Sequence, residues 1–325
     1  MADTSIEWTD VTWNPVSGCT RASAGCDHCY AVTMTRRLEA MGQEKYSGLT
    51  SVNQRGDRHF NGVVRVHEDA LTIPLGWKKP RKVFVNSMSD LFHKDVPFEF
   101  IDRVFAVMAL CPQHTFQILT KRPERMAEYF SRSDVRAEVG TIALVNALRM
   151  GRKDADDFRQ IRWPLPNVWL GTSVENQQTA DERIPHLLKV PASVRFLSCE
   201  PLLDRVDLRY YLDLIYIGKW EKQARWQGTG IHWVIVGGES GHHARPMHMK
   251  WVRSLRDQCQ SAGVSFFMKQ WGEWVPTVQA MEVCNQGGWK FYSPPGDCVM
   301  MKVGKKAAGR LLDGRTWDEM PEVNG

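Results

Sequence analysis

Six short runs of apolar, β-branched and aromatic residues recur along the chain, each ending in polar residues, and their rhythm is what most limits the fold. They occupy residues 83–90, 116–122, 168–176, 194–201, 233–240 and 264–270. Runs of this length, apolar with little alternation, are expected of strands buried on both faces. Helical patterns separate several of them, as at 97–110 and 249–262, and Gly263 stands where the second helix should stop. Strand alternating with helix predicts a parallel sheet. With an opening strand around residues 6–13, the count suits a full or partial (β/α) barrel of the α/β class better than an open doubly wound sheet.

A barrel collects its functional side chains at the C-terminal ends of its strands. Asp90, Lys121, Glu175, Glu200, Glu239 and Lys269 all fall there, and Lys121, Glu200, Glu239 and Lys269 are the catalytic candidates. Gly237 and Gly238, just before Glu239, would let a ligand approach the backbone closely, with a tight strand-to-helix turn as the alternative. Two stretches interrupt the rhythm. Residues about 130–165 read as a helical insertion, and residues about 205–230 carry Tyr210, Tyr211, Trp220 and Trp226 among basic residues. Insertions of this kind often form lids or substrate walls. The division expected is a barrel over 1–271 and a β-rich extension over 272–325, whose five basic residues between 302 and 315 suit phosphate contacts or a solvated surface.

Three of the eight cysteines, Cys19, Cys26 and Cys29, crowd into eleven residues of a Gly-containing loop that runs into a helical pattern from Ala31. Turn amides and a helix N-terminus favour negative charge, which suits thiolates and an anionic metal cluster. Three ligands leave one metal position open, whereas a closed zinc site or a fully ligated four-iron cluster needs four. His28 is the candidate fourth ligand of the zinc alternative, a nucleic-acid-binding protein without catalysis.

The remaining cysteines are scattered, unlike a secreted disulfide scaffold. The N-terminus lacks a basic region followed by an apolar stretch, and no apolar run approaches the ~20 residues of a membrane span. A cytoplasmic setting, with no membrane partner, is expected. The net charge of +5 permits a polyanionic partner.

Several segments together carry a family resemblance. They are the opening through Trp13-Asn-Pro-Val-Ser-Gly-Cys19, the tripled cysteines before Tyr30-Ala31, Ser89-Asp90-Leu-Phe, Leu119-Thr-Lys-Arg-Pro, Cys199-Glu-Pro-Leu, Val236-Gly-Gly-Glu-Ser-Gly and Leu311-Leu-Asp-Gly-Arg. They resemble a phage and prophage family of uncharacterised function with a three-cysteine motif. That family is similar to radical S-adenosylmethionine enzymes, including the spore photoproduct lyase branch. The commonest pattern of those enzymes has three residues between the first two cysteines where this chain has six, and an aromatic where His28 stands.

The resemblance implies a barrel of the radical S-adenosylmethionine type with a [4Fe–4S] cluster on Cys19, Cys26 and Cys29. S-adenosyl-L-methionine would bind the fourth iron and yield a 5′-deoxyadenosyl radical. Ser87, Ser89 and Asp90 would then meet the methionine ammonium, and Ser173 and Glu175 the ribose. Tyr30, Gly237 and Gly238 complete the cofactor-binding candidates. Glu200 and Glu239 would serve cofactor or substrate. An external electron donor such as flavodoxin or ferredoxin is implied, and a nucleic acid or nucleotide is the expected substrate.

Overall fold

The computed structural model describes residues 4, 6–54, 56–212, 230–279, 290–293 and 298–322. Seven strands form one sheet: β1 (Val11–Trp13), β2 (Lys82–Val85), β3 (Thr115–Thr120), β4 (Val168–Ser173), β5 (Val194–Cys199), β6 (Trp233–Gly237) and β7 (Ser265–Gln270). They lie side by side in chain order, and every neighbouring pair is parallel. All six of the sequence runs and the opening strand are therefore present. Every residue of β4, β5 and β6 is buried, which is why these segments are apolar throughout.

Helices cover the outside: α1 (Tyr30–Ala40), α2 (Phe98–Leu110), α3 (Pro123–Ser131), α4 (Val135–Arg149), α5 (Gln177–Leu188) and α6 (Met249–Ala262). Their ends follow local chemistry. Asn176 and Thr179 form a reciprocal capping box on α5, and Pro123 opens α3. Gly263, in the left-handed region at φ 67°, stops α6 as expected.

Curvature follows from the aromatic interior. The Trp8 indole lies 4.8 Å from the Phe84 ring on β2 and 6.1 Å from the Trp233 ring on β6. Four strand steps separate β2 from β6, about 19 Å in a flat sheet at ~4.8 Å per step. One indole can touch both only if the sheet curls around it. Trp8, Phe84, Trp169, Phe196, Trp233 and Phe267 are buried together inside this curl, so the lumen is packed rather than open. The architecture is a seven-stranded half-barrel.

The far edge of the sheet is covered by the chain's own tail. Asp318 bridges antiparallel to Phe267 on β7, the Met268 amide donates to Trp317 O at 2.9 Å, and Trp233 Nε1 donates to Glu319 O at 2.8 Å. Between barrel and tail, β8 (Trp274–Pro276), β9 (Lys290–Tyr292) and β10 (Met300–Lys302) form a small antiparallel sheet. Val275, Met300, Met301, Leu312 and Trp317 join the same apolar cluster as the barrel helices. Three of the basic residues of this region have partners within the chain, while Lys305 and Lys306 are exposed. Lys302 donates to His242 O, Arg310 to Met268 O at 3.0 Å, and the Arg315 guanidinium stacks 3.7 Å above the Trp317 ring. No helix among the described residues is long and apolar enough to cross a membrane.

The first insertion is helical, as expected, and the second lies mostly outside the described residues. Val135, Val139, Ala143 and Ala147 recur every fourth residue along α4 and are buried with the α2 side chains, so this segment thickens the outer helix layer. In the second insertion Tyr211 is buried with its hydroxyl on Asp181 at 2.8 Å, and Tyr210 is exposed. Trp220 and Trp226 lie outside the described residues.

Gly171 on β4 tests the packed lumen, because a Cβ there would lie 2.6 Å from the Phe196 ring. Overpacking of this kind costs about 1–3 kcal/mol. Gly171→Ala should lower the urea midpoint accordingly, whereas Gly76→Ala, which meets no atom within 4 Å, should leave it nearly unchanged. Equal midpoints for the two variants would contradict the curled interior.

Candidate cofactor site at the barrel mouth

The loop after β1 is set by a close backbone approach. Gly18 has φ +86°, and a Cβ on it would sit 2.0 Å from Val63 O, so no other residue fits without displacement. A short pairing of Val16–Ser17 with Arg65–Val66, and a bridge from Gly18 to Ser89, turn the chain over the strand ends. Cys19 follows directly. Cys26 ends the single turn Ala24–Cys26, and Cys29 is the N-cap of α1.

All three cysteines line one cavity of about 720 Å³. Tyr30, Ser87, Ser89, Asp90, Lys121 and Ser173 line it too, so nine of the sequence candidates come together. Its outer wall is the hairpin formed by Thr50–Val52 and Arg58–Phe60, contributing Arg58, His59 and Phe60, which sequence reasoning did not single out. Glu175, Glu200, Gly237, Gly238, Glu239 and Lys269 lie outside this lining.

Three anchors hold the cysteine loop against the strand ends. After β3, Arg122 Nη2 donates to Thr20 O at 2.9 Å and to Thr20 Oγ1 at 2.8 Å, and Nη1 lies 3.7 Å from Cys19 Sγ. After β4, Glu175 accepts from Ser23 Oγ at 2.9 Å, and Gly25 packs so closely that a Cβ would come within 2.5 Å of the carboxylate. Beyond β6, Glu239 Oε2 lies 3.0 Å from His28 Nδ1 and accepts the Arg245 amide at 2.8 Å. Arg245 also donates to Glu239 Oε1 at 2.6 Å and to Ala24 O at 2.9 Å.

Several predicted ligand contacts are therefore already occupied within the protein. Glu175, expected near a ribose, is fully buried and paired with Lys121 and with Arg183 at 2.9 Å. Asp90, expected to meet an ammonium, accepts four hydrogen bonds: from Thr120 Oγ1 (2.7 Å), Phe92 N (3.0 Å), Lys121 N (3.0 Å) and Arg122 Nη1 (2.8 Å). Ser87 and Ser89 donate to Asn14 Oδ1 at 3.2 Å and Val16 O at 2.9 Å. The Tyr30 hydroxyl donates to Ser87 O at 2.6 Å, with half the residue exposed.

Glu200 and Lys269 form an ion pair at 2.7 Å, which Gln270 Nε2 joins at 3.1 Å from the carboxylate. Gly237 leaves room for that carboxyl group, since its Cβ would lie 3.2 Å from Glu200. Gly238 faces Trp271 O at 2.0 Å from a hypothetical Cβ, so the glycine pair meets a packing demand at the turn.

Burial pushes the Cys19 thiol up to about 12, with Asp90 and the other two cysteines adding to the rise and Arg122 opposing it. Burial also raises Cys29, helped by Cys26, while the Ala31 and Val32 amides and Lys121 oppose the rise. Cys19 thus senses the charge of both other sulfurs and Cys29 that of Cys26, and cationic or amide donors face them. A metal that deprotonates all three and spreads their charge fits this donor set. Among the described residues, no three His, Cys, Asp or Glu side chains are placed to hold one metal ion. A four-iron cluster sets a different requirement, because each thiolate bonds its own iron.

Sequence reasoning missed Arg122, His28 as an anchor, and Arg245. Arg122 carried a signal: it precedes Pro123 at the start of a helix and follows a strand-end lysine. Arg245, six residues beyond Glu239, carried none.

A family model described as "Protein of unknown function (DUF5131)" matches residues 3–321. No curated protein matches the chain. Among solved structures, the chain is similar to a double mutant of spore photoproduct lyase with bound AdoMet and dinucleoside spore photoproduct. Identity there is 10% and the TM-score 0.33, covering 90% of this chain and 68% of the other. It is also similar to spore photoproduct lyase complexed with dinucleoside spore photoproduct, at 10% identity and TM-score 0.34, covering 89% and 66%. At this level of superposition the fold assignment rests on the sheet topology itself.

Burial raises the Glu175 carboxyl, but the Lys121 and Arg183 charges and the Lys121 and Ser23 hydrogen bonds overcome it and hold the group at about 2. Its stabilisation is fully present above the ordinary value of 4.5 and is lost as pH falls toward 2. Glu175→Gln should cost about 3–5 kcal/mol at pH 7 by leaving buried cations unpaired. The gap from wild type, read by denaturant titration, should shrink at pH 3.5, and a gap independent of pH would contradict the pairing.

Proposed function

The chain is a member of this uncharacterised family, and we propose that it is a radical S-adenosylmethionine enzyme with a [4Fe–4S] cluster on Cys19, Cys26 and Cys29. The observation that carries the reading is the convergence of three thiols, all on the loop after the first strand, on one cavity at the C-terminal mouth of a parallel half-barrel. When bound, the cluster and S-adenosylmethionine supply one-electron cleavage of a carbon–sulfur bond and removal of a hydrogen atom from a substrate.

The chain's own residues supply position and shielding. Arg122, Glu175 and the Glu239 and Arg245 pair hold the thiol loop from three strand ends, so the ligands are ordered before a cluster arrives. The packed aromatic lumen keeps water from entering beneath the site. Tyr30, Ser173 and the hairpin carrying Arg58 and His59 border the space left for cofactor and substrate. Lys121, paired with Glu175 at the edge of that space, and the Glu200 and Lys269 pair are the candidates for substrate contact. A net charge of +5 supports a nucleic acid or nucleotide as substrate. The electron enters from an external donor of the flavodoxin or ferredoxin class.

Anaerobic reconstitution with iron and sulfide, followed by dithionite and S-adenosylmethionine, should release 5′-deoxyadenosine, detected by chromatography. Cys29→Ala should abolish that release. A protein that carries four irons per chain and cleaves no cofactor would overturn the enzymatic reading.

A further inference from the structure

We propose that Arg122 tunes the reduction potential of the metal centre by donating a hydrogen bond to the Cys19 sulfur. The inference rests on the three-thiol cluster reading and adds a role for a residue outside the ligand set. Arg122 Nη1 stands 3.7 Å from Cys19 Sγ, within reach of an N–H···S bond. The guanidinium is fixed there. Asp90 takes one of its donors at 2.8 Å, Thr20 takes two, and only 12% of the side chain is exposed. Thr120 and the amides of Phe92 and Lys121 hold Asp90 in turn.

A planar fork with five N–H groups can meet a carboxylate, a carbonyl and a sulfur at once, which a lysine ammonium cannot do from one position. The other sulfurs have different partners. Cys26 accepts the Ala22 amide at 3.5 Å, and Cys29 faces the amides of Ala31 and Val32 at the start of α1. The nearby cation Lys121 is committed to Glu175. A charged donor therefore reaches one ligand, Cys19.

Reduction adds one negative charge to a cluster, so a hydrogen bond and a positive charge at a ligating sulfur favour the reduced state. Removing them lowers the potential. If Arg122 only ordered the loop, its loss would reduce cluster occupancy and leave the potential of the occupied fraction unchanged.

The experiment is an anaerobic redox titration of the reconstituted full chain, followed by the electron paramagnetic resonance signal of the reduced cluster, with iron measured per chain. Arg122→Gln should shift the midpoint to more negative potential at undiminished potential-independent signal shape per iron. Arg122→Lys keeps a charge to pair with Asp90 and guards against misfolding of the first variant, and it should give a smaller shift in the same direction. An unchanged midpoint in either iron-loaded variant would overturn the inference while leaving the cluster reading intact. Failure of the wild-type chain to bind iron would overturn both.

Discussion

A loop that leaves the first strand is held down by carboxylates on the fourth and sixth. Glu175 and Glu239 are buried, yet each is charged and saturated by partners, and in each case one of those partners belongs to the cysteine loop. Buried carboxylates are tolerable only with such pairing. Loop and strand ends are consequently interdependent: without the loop, Glu175 and Glu239 lose partners, and without the carboxylates the residues between Cys19 and Cys29 keep only the Arg122 anchor of the three. The arrangement of the three thiols is thereby tied to the stability of the barrel itself.

Curl makes that connection geometrically available. In a flat sheet β1 and β6 would lie about 24 Å apart at ~4.8 Å per strand step, and the curl shortens that span. The aromatic interior around Trp8 draws the strands around, and the tail from Trp317 to Glu319 covers the open edge at β7. With the lumen filled, the space that remains for chemistry is the mouth. There the strand ends supply Lys121 and Ser173, while the Glu200 and Lys269 pair lies outside the cavity lining.

The fold was largely readable from pattern, since strands buried on both faces leave continuous apolar runs and Gly263 marks a helix end by its backbone freedom. Nine candidates line one cavity, but of the six charged strand ends only Asp90 and Lys121 are among them. Partnership was not legible. Asp90 and Glu175 look like ligand groups in sequence, but apart from Arg183, eight residues from Glu175, their partners Arg122, Lys121 and Ser23 lie 31 to 152 residues away, for which no local signal exists. The pair Gly237-Gly238 suggested a ligand, whereas close approach by Glu200 and by the Trp271 carbonyl accounts for both. Helix α4 was legible as a helical insertion, whereas its packing against α2 was not.

The central claim is that Cys19, Cys26 and Cys29 hold a cluster with one iron left open to S-adenosylmethionine. Its most direct test is the electron paramagnetic resonance spectrum of the dithionite-reduced, reconstituted chain with and without S-adenosylmethionine. The account predicts a four-iron signal whose g-values change when S-adenosylmethionine is added, as a ligand reaches the open iron. A four-iron spectrum indifferent to S-adenosylmethionine would contradict it.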